Sequence, residues 1–188
     1  MAQQELLKYT VETLDRAGIE YMATGSIVSS LQGEPRSTHD LDVVVTIEPA
    51  DIPALLAAFA SPRYYVDEAA IREAIRTGGG FNVIDTVEGD KVDFWMLTES
   101  AFDNSRFARR YEEAVFGIRL KVSSPEDTIL AKLRWAKLAG GSDRYVRDAL
   151  GVYEVQAQTL DTAYLDEWAR RLGVEDLLEQ VQRAAGEF

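Results

Sequence analysis

Cysteine is absent from these 188 residues, and histidine occurs once, as His39. Without cysteine there is no disulfide framework, Cys-ligated zinc site, iron–sulfur cluster or thiol nucleophile. A single histidine also excludes HExxH zinc chemistry. Any metal must therefore be held mainly by oxygen, which points to hard ions such as Mg2+ or Mn2+. Positive charge is scarce too: Lys plus Arg number 20 against 32 Asp plus Glu, a formal net charge of −12. That balance argues against coating nucleic acid or anionic membrane through a global field, while leaving room for a local basic site. Long apolar runs are missing as well. The longest uncharged stretch, Tyr21 to Gly33, falls well short of the ~20 apolar residues of a spanning helix. The opening Met1-Ala2-Gln3-Gln4-Glu5 is polar and acidic, unlike a signal peptide. A cytoplasmic protein with no membrane partner is expected.

What is present suits a folded globular chain, with 46% hydrophobic and 28% charged residues. Its length fits one domain, or a domain with a small helical appendage. Leu6, Leu7, Val11 and Leu14 recur at helical spacing before Gly18. Ile19 to Thr24 reads as a short strand closed by Gly25-Ser26, and Ile27 to Leu31 as one or two helical turns. Asp40 to Ile47 is a β-branched strand, followed by helical patterns over Pro49 to Ala60 and Glu68 to Arg76. Phe81 to Val87 and Lys91 to Leu97 form a hairpin across Glu88-Gly89-Asp90, and Glu113 to Val115 pairs with Ile118 to Val122 around Phe116-Gly117. Ser124-Pro125-Glu126-Asp127 has the form of a helix-starting capping box, and the pattern is helical from there on. The expected class is α/β (α+β): a mixed α/β portion over residues 1–122 and a C-terminal helical portion over 123–188 packed on it.

The chemistry centres on Gly25-Ser26 and, after thirteen intervening residues, Asp40-Leu41-Asp42-Val43. On a strand, Asp40 and Asp42 share one face while Leu41, Val43 and Val45 take the other. Two such carboxylates repel unless a cation lies between them. Asp93, in Lys91-Val92-Asp93-Phe94-Trp95-Met96, alternates with apolar neighbours in the same way. Should its strand neighbour the first, three carboxylates meet on one patch suited to divalent ions and phosphoryl transfer. Gly25-Ser26 supplies a turn where a phosphate can approach the backbone and the free N–H groups of the following helix.

These residues resemble the signature of the polymerase-β-like nucleotidyltransferase superfamily: a Gly-Gly or Gly-Ser turn, Asp-x-Asp, and a third Asp on a later strand. Gly25-Ser26 with Glu34-Pro35-Arg36-Ser37-Thr38-His39-Asp40-Leu41-Asp42 is most similar to AbiEii-type and related minimal nucleotidyltransferases, many of them toxins of toxin–antitoxin pairs. Ser124 to Leu133 and Arg147-Asp148 resemble two further elements of that group, so the likeness spans roughly Tyr21 to Tyr153. It implies a nucleotidyltransferase fold and transfer of NMP from an NTP to a hydroxyl acceptor: a tRNA or other RNA end, a protein, or a small molecule. By the same resemblance Asp40, Asp42 and Asp93 are the catalytic and metal-holding residues, with Mg2+ or Mn2+ as cofactor. Gly25, Ser26, Arg36, Lys132 and Asp148 bind the nucleotide, and an antitoxin protein is a possible partner. One departure is that Gly151 stands where the group carries a second acidic residue near Asp148.

Asp-x-Asp pairs also mark some glycosyltransferases and haloacid-dehalogenase-like phosphatases. In the phosphatases the pair follows an apolar strand, whereas here Val43-Val44-Val45 comes after the acids. A non-catalytic nucleotide- or metal-binding protein on the same fold is the alternative. His39 is expected at the surface, Trp95, Trp135 and Trp168 in packing, and Gly78-Gly79-Gly80 in a turn. The basic clusters Arg106, Arg109 and Arg110, Arg134 and Lys137, and Arg144 and Arg147 are expected to form a solvated face, several of them pairing with Glu112, Glu113 or Asp143, or to guide an RNA end.

Overall fold

The computed structural model describes residues 2–35 and 40–186. Its first elements are α1 (Ala2–Ala17), β1 (Tyr21–Thr24), α2 (Gly25–Gln32), β2 (Asp40–Val45), a 3-10 turn (Pro49–Asp51), α3 (Ile52–Ala58), β3 (Tyr64–Tyr65) and α4 (Glu68–Thr77). There follow β4 (Gly80–Asp85), β5 (Lys91–Met96), α5 (Ala101–Ala108), β6 (Tyr111–Val115) and β7 (Ile118–Val122). The remainder is helical: α6 (Pro125–Leu138), α7 (Asp143–Gln156), α8 (Thr162–Leu172) and α9 (Glu175–Ala185). Two compact units result, Met1–Thr24 with Thr38–Val122, and Gly25–Ser37 with Ser123–Phe188. Among the described residues no helix is long and apolar enough to cross a membrane.

The first unit is built on a seven-stranded mixed sheet in the order β3-β4-β5-β2-β1-β7-β6. β2, with its Val43-Val44-Val45 run, lies at the centre, antiparallel to β1 and parallel to β5. Strands buried on both faces favour such β-branched runs. Leu41, Val43 and Val45 are buried, as are Leu6, Leu7, Val11 and Leu14 along one stripe of α1. Aromatic rings fill much of the remaining core: Tyr9 stacks on Tyr64, and Phe59 meets Tyr9, Tyr64 and Phe94 edge-on. On the opposite sheet face Met22 and Val44 are closed over by Phe107 of α5 and by Leu97.

The β4–β5 hairpin turns as its sequence predicts. Asp85 accepts the backbone N–H groups of Val87 and Glu88 at 3.0 and 3.2 Å, and Gly89 takes a positive φ of 79°. Burial pushes the Asp85 carboxyl up, but those N–H groups and Arg63 outweigh it and hold it below the usual range. α4 ends at Gly78, whose left-handed φ of 69° leaves Gly80 free to open β4.

The second unit gathers α2 with the four C-terminal helices. Ser124 caps α6 by accepting the Asp127 N–H, and its hydroxyl donates to the Asp127 carboxylate, which also receives the Tyr164 hydroxyl at 2.7 Å. Ile129, Leu130, Leu133 and Ala136 form the buried stripe of α6. Gln32, at the end of α2, donates to Ser123 O at 2.7 Å, and Gln156 of α7 donates to Gln32 O at 2.9 Å. α2 also runs close against α7. A Cβ on Gly33 would lie 2.7 Å from Gly151 C and Val152 N, so only glycine fits.

Four expectations need correction. Gly25-Ser26 opens α2 rather than closing a strand, because a positive φ of 72° at Gly25 turns the chain directly from β1 into helix. α5 and β3 are additions. The two buried phenylalanines of α5, Phe102 and Phe107, stand five apart and make no helical stripe in the sequence. Of the tryptophans only Trp168 is buried, while Trp95 and Trp135 are 42% and 51% exposed. Arg106 pairs with Asp103 and Arg110 with Glu20, acids other than those the sequence singled out.

Candidate functional site

In the first unit, the alternation of β2 and its register with its neighbours set the carboxylates. Thr24, Asp42, Asp93 and Asn82 form one row across β1, β2, β5 and β4. On the same face Asp40 and Lys91 flank that row on one side, and Val44 and Trp95 on the other. The parallel pairing of β2 with β5 thus places Asp93 directly beside Asp42, the adjacency on which the sequence argument depended.

The carboxylates do not, however, close into a three-acid cage. Among the described residues, no group of three or more histidine, aspartate or glutamate side chains is arranged to hold a metal ion. A lysine lies among them instead. Lys91 Nζ donates to Asp93 Oδ2 at 2.8 Å and stands 3.5 Å from Asp40 Oδ1. The hydrogen bond to Asp93 raises the Lys91 pKa above its ordinary value, against the opposing effect of burial. Asp42 takes a different partner: Trp95 Nε1 donates to its Oδ1 at 3.2 Å. The oxygen donor set fits a hard divalent cation, and the Lys91 ammonium is a stand-in showing that the Asp40–Asp93 pair attracts positive charge. Sequence reasoning named all three aspartates but missed Lys91 and Trp95. The period of two that pairs Asp40 with Asp42 equally sets Lys91, Asp93 and Trp95 on one face of β5.

In the second unit, three of the sequence-predicted residues come together. Lys132 Nζ donates to Asp148 Oδ2 at 2.7 Å and lies 3.5 Å from Ser26 Oγ. Both members of the ion pair are buried, with side chains 6% and 8% exposed. The ammonium also stands 5.7 Å from the Tyr145 ring centroid, within cation–π range. Lys132 is thus fixed in place rather than extended into solvent. Gly25 and Ser26 form the first turn of α2. Arg36 and His39 lie outside the described residues.

No protein-family model matches the chain, and no curated protein matches it either. Solved structures do. A solution structure of the antibiotic-resistance factor ANT(2'')-Ia aligns over 99% of this chain and 96% of its own, with a TM-score of 0.57 and 12% identity. The crystal structure of ANT(2'')-Ia with adenylyl-2''-tobramycin aligns over 92% and 97%, with a TM-score of 0.61 and 14% identity. An antigenic nucleotidyltransferase-like protein from Paracoccidioides brasiliensis covers 96% and 93%, with a TM-score of 0.57 and 15% identity. The chain has a nucleotidyltransferase fold. At these identities the likeness concerns the fold, and the chemistry must be argued from the side chains.

Proposed function

We propose that this chain is a nucleotidyltransferase, moving a nucleoside monophosphate from an NTP to a hydroxyl acceptor and releasing pyrophosphate. The observation that carries the reading is the row joining Asp42 to Asp93, with Asp40 on the same face, in a nucleotidyltransferase fold. Asp40, Asp42 and Asp93 are the residues to hold Mg2+ or Mn2+, which when bound neutralises charge on the phosphates. Asp93 orients the acceptor hydroxyl and takes its proton. Gly25 and Ser26 offer backbone N–H groups to the triphosphate, Lys132 supplies a cation steered by Asp148, and Arg36 adds a second positive charge. Of the acceptor classes, a small molecule suits the charge best. The net charge is −12, and Arg106 and Arg110, two of the candidates for steering an RNA end, already engage Asp103 and Glu20. An AbiEii-like toxin role would instead require an RNA or protein acceptor and an antitoxin.

The test is incorporation from the four labelled NTPs with Mg2+ into total RNA, protein and small-molecule acceptors. Asp40→Ala with Asp42→Ala should lower transfer by ~1000-fold or more while the fold is retained, since phosphate charge then goes unneutralised. Unchanged transfer would remove the assignment. A second reading, nucleotide binding without transfer, is favoured by Lys91, whose ammonium is 2.8 Å from Asp93 Oδ2 and 3.5 Å from Asp40 Oδ1. Calorimetric NTP binding without pyrophosphate release would select it.

A further inference from the structure

The Asp40–Asp93 pair is already partly neutralised from within the protein. Asp40 and Lys91 are register partners on β2 and β5, and Lys91 and Asp93 stand two apart on one strand, so one ammonium reaches both acids. Neither the composition nor the superfamily signature called for a lysine there. Its side chain is 39% exposed on a flexible four-carbon stem, so it can leave without disturbing the core. A divalent ion bridging the same two carboxylates would lie within a few ångströms of that ammonium and be repelled by it.

We propose that Lys91 is the resident counter-cation of the Asp40–Asp93 pair, and that a divalent ion occupies the pair only by displacing it. Lys91 thereby sets the metal affinity of the site and lets the metal-free chain tolerate its clustered acids. This rests on the nucleotidyltransferase reading, because it takes the same carboxylates as the metal site. It concerns the binding equilibrium rather than turnover.

Free Mn2+ can be followed by its electron paramagnetic resonance signal, without nucleotide, as it is titrated into the wild type, Lys91→Met, Lys91→Gln and Lys91→Arg. Loss of the positive charge should tighten binding by ~10-fold or more in the Met and Gln variants, as repulsion between a monovalent and a divalent charge a few ångströms apart requires. Lys91→Arg, which keeps the charge, should stay near the wild type. Thermal unfolding gives a second readout: saturating Mn2+ should raise the midpoint of Lys91→Met and Lys91→Gln more than that of the wild type. If the wild type binds Mn2+ and the Met and Gln variants bind it no more tightly, this inference fails alone. Should Lys91→Arg match Lys91→Met, side-chain size rather than charge is responsible, and the inference again fails. Absence of Mn2+ binding in every chain overturns both the inference and the metal reading of the site.

Discussion

Asp148→Ala tests whether Lys132 is locked by its partner or merely passes near it. In the folded chain the ammonium lies 2.7 Å from Asp148 Oδ2, with both side chains nine-tenths buried, and its contact with Ser26 Oγ is at 3.5 Å, the weak limit of a hydrogen bond. Removing one member of a buried pair leaves a charge in a poorly solvated place and costs about 3–5 kcal/mol. With a urea dependence of ~2 kcal/mol per molar, that loss lowers the unfolding midpoint by ~1.5 M or more. The assay is urea denaturation followed by far-ultraviolet circular dichroism on the wild type, Asp148→Ala, Lys132→Met and the double variant Lys132→Met/Asp148→Leu. The double variant should recover most of the loss, because an apolar pair of similar volume needs no charge compensation. The reasoning is refuted if Asp148→Ala stays within ~0.5 kcal/mol of the wild type, the range of an ordinary surface change. It is equally refuted if the double variant loses the sum of the two single losses.

Gly33→Ala should destabilise the helical unit by ~2 kcal/mol or more, since its Cβ would meet the backbone of Gly151 and Val152 at 2.7 Å; thermal melts compare it with Gly18→Ala, where a Cβ meets no heavy atom within 4 Å and the cost comes from the positive φ of 69° instead. Burial pushes the Tyr21 hydroxyl up to about 12. Because the folded chain holds that proton more tightly than the unfolded one, the contribution is fully present below pH ~10 and disappears as pH rises through 12, amounting to ~2–3 kcal/mol. Tyr21→Phe should flatten this alkaline loss of stability and remove one late phenolate from the absorbance titration at about 295 nm.

The parts of the fold legible in the sequence are those where a local rule decides the outcome. The alternation Asp40-Leu41-Asp42-Val43 settles which side chains share a face, whatever the partner strand. Ser124 and Pro125 start α6 because capping involves residues only three apart. Gly78 ends α4 through a conformation that glycine adopts without strain. The unreadable parts depend on distant chain segments. Gln32 is tied to Ser123 and Gln156, 91 and 124 positions away, and nothing in the Ile27–Leu31 pattern shows that α2 groups with the C-terminal helices. Trp95 is exposed because Gly80 is its cross-strand partner and the ring lies over that glycine, where a Cβ would come within 2.9 Å of Trp95 Cε3. A tryptophan's size alone suggests burial; only the register shows what it covers.

The departure at Gly151 falls where α2 packs on α7. The resemblance calls for a second acid one turn beyond Asp148, yet α7 at this point must accept the end of α2. Gly33 presses its backbone against Gly151, and a Cβ built on Gly151 would itself lie 3.4 Å from Glu34 N and 3.7 Å from Glu34 Cβ. A Cβ there makes only ordinary van der Waals contact, so space alone does not exclude a side chain. A carboxylate would bring like charge beside the Glu34 side chain, which disfavours the second acid electrostatically. Its absence is not a sign of a decayed site, because the remaining acid of the element, Asp148, keeps its 2.7 Å bond to Lys132. With that bond in place the ammonium stands 3.5 Å from Ser26 Oγ, so the orienting role assigned to this helix does not depend on a second carboxylate.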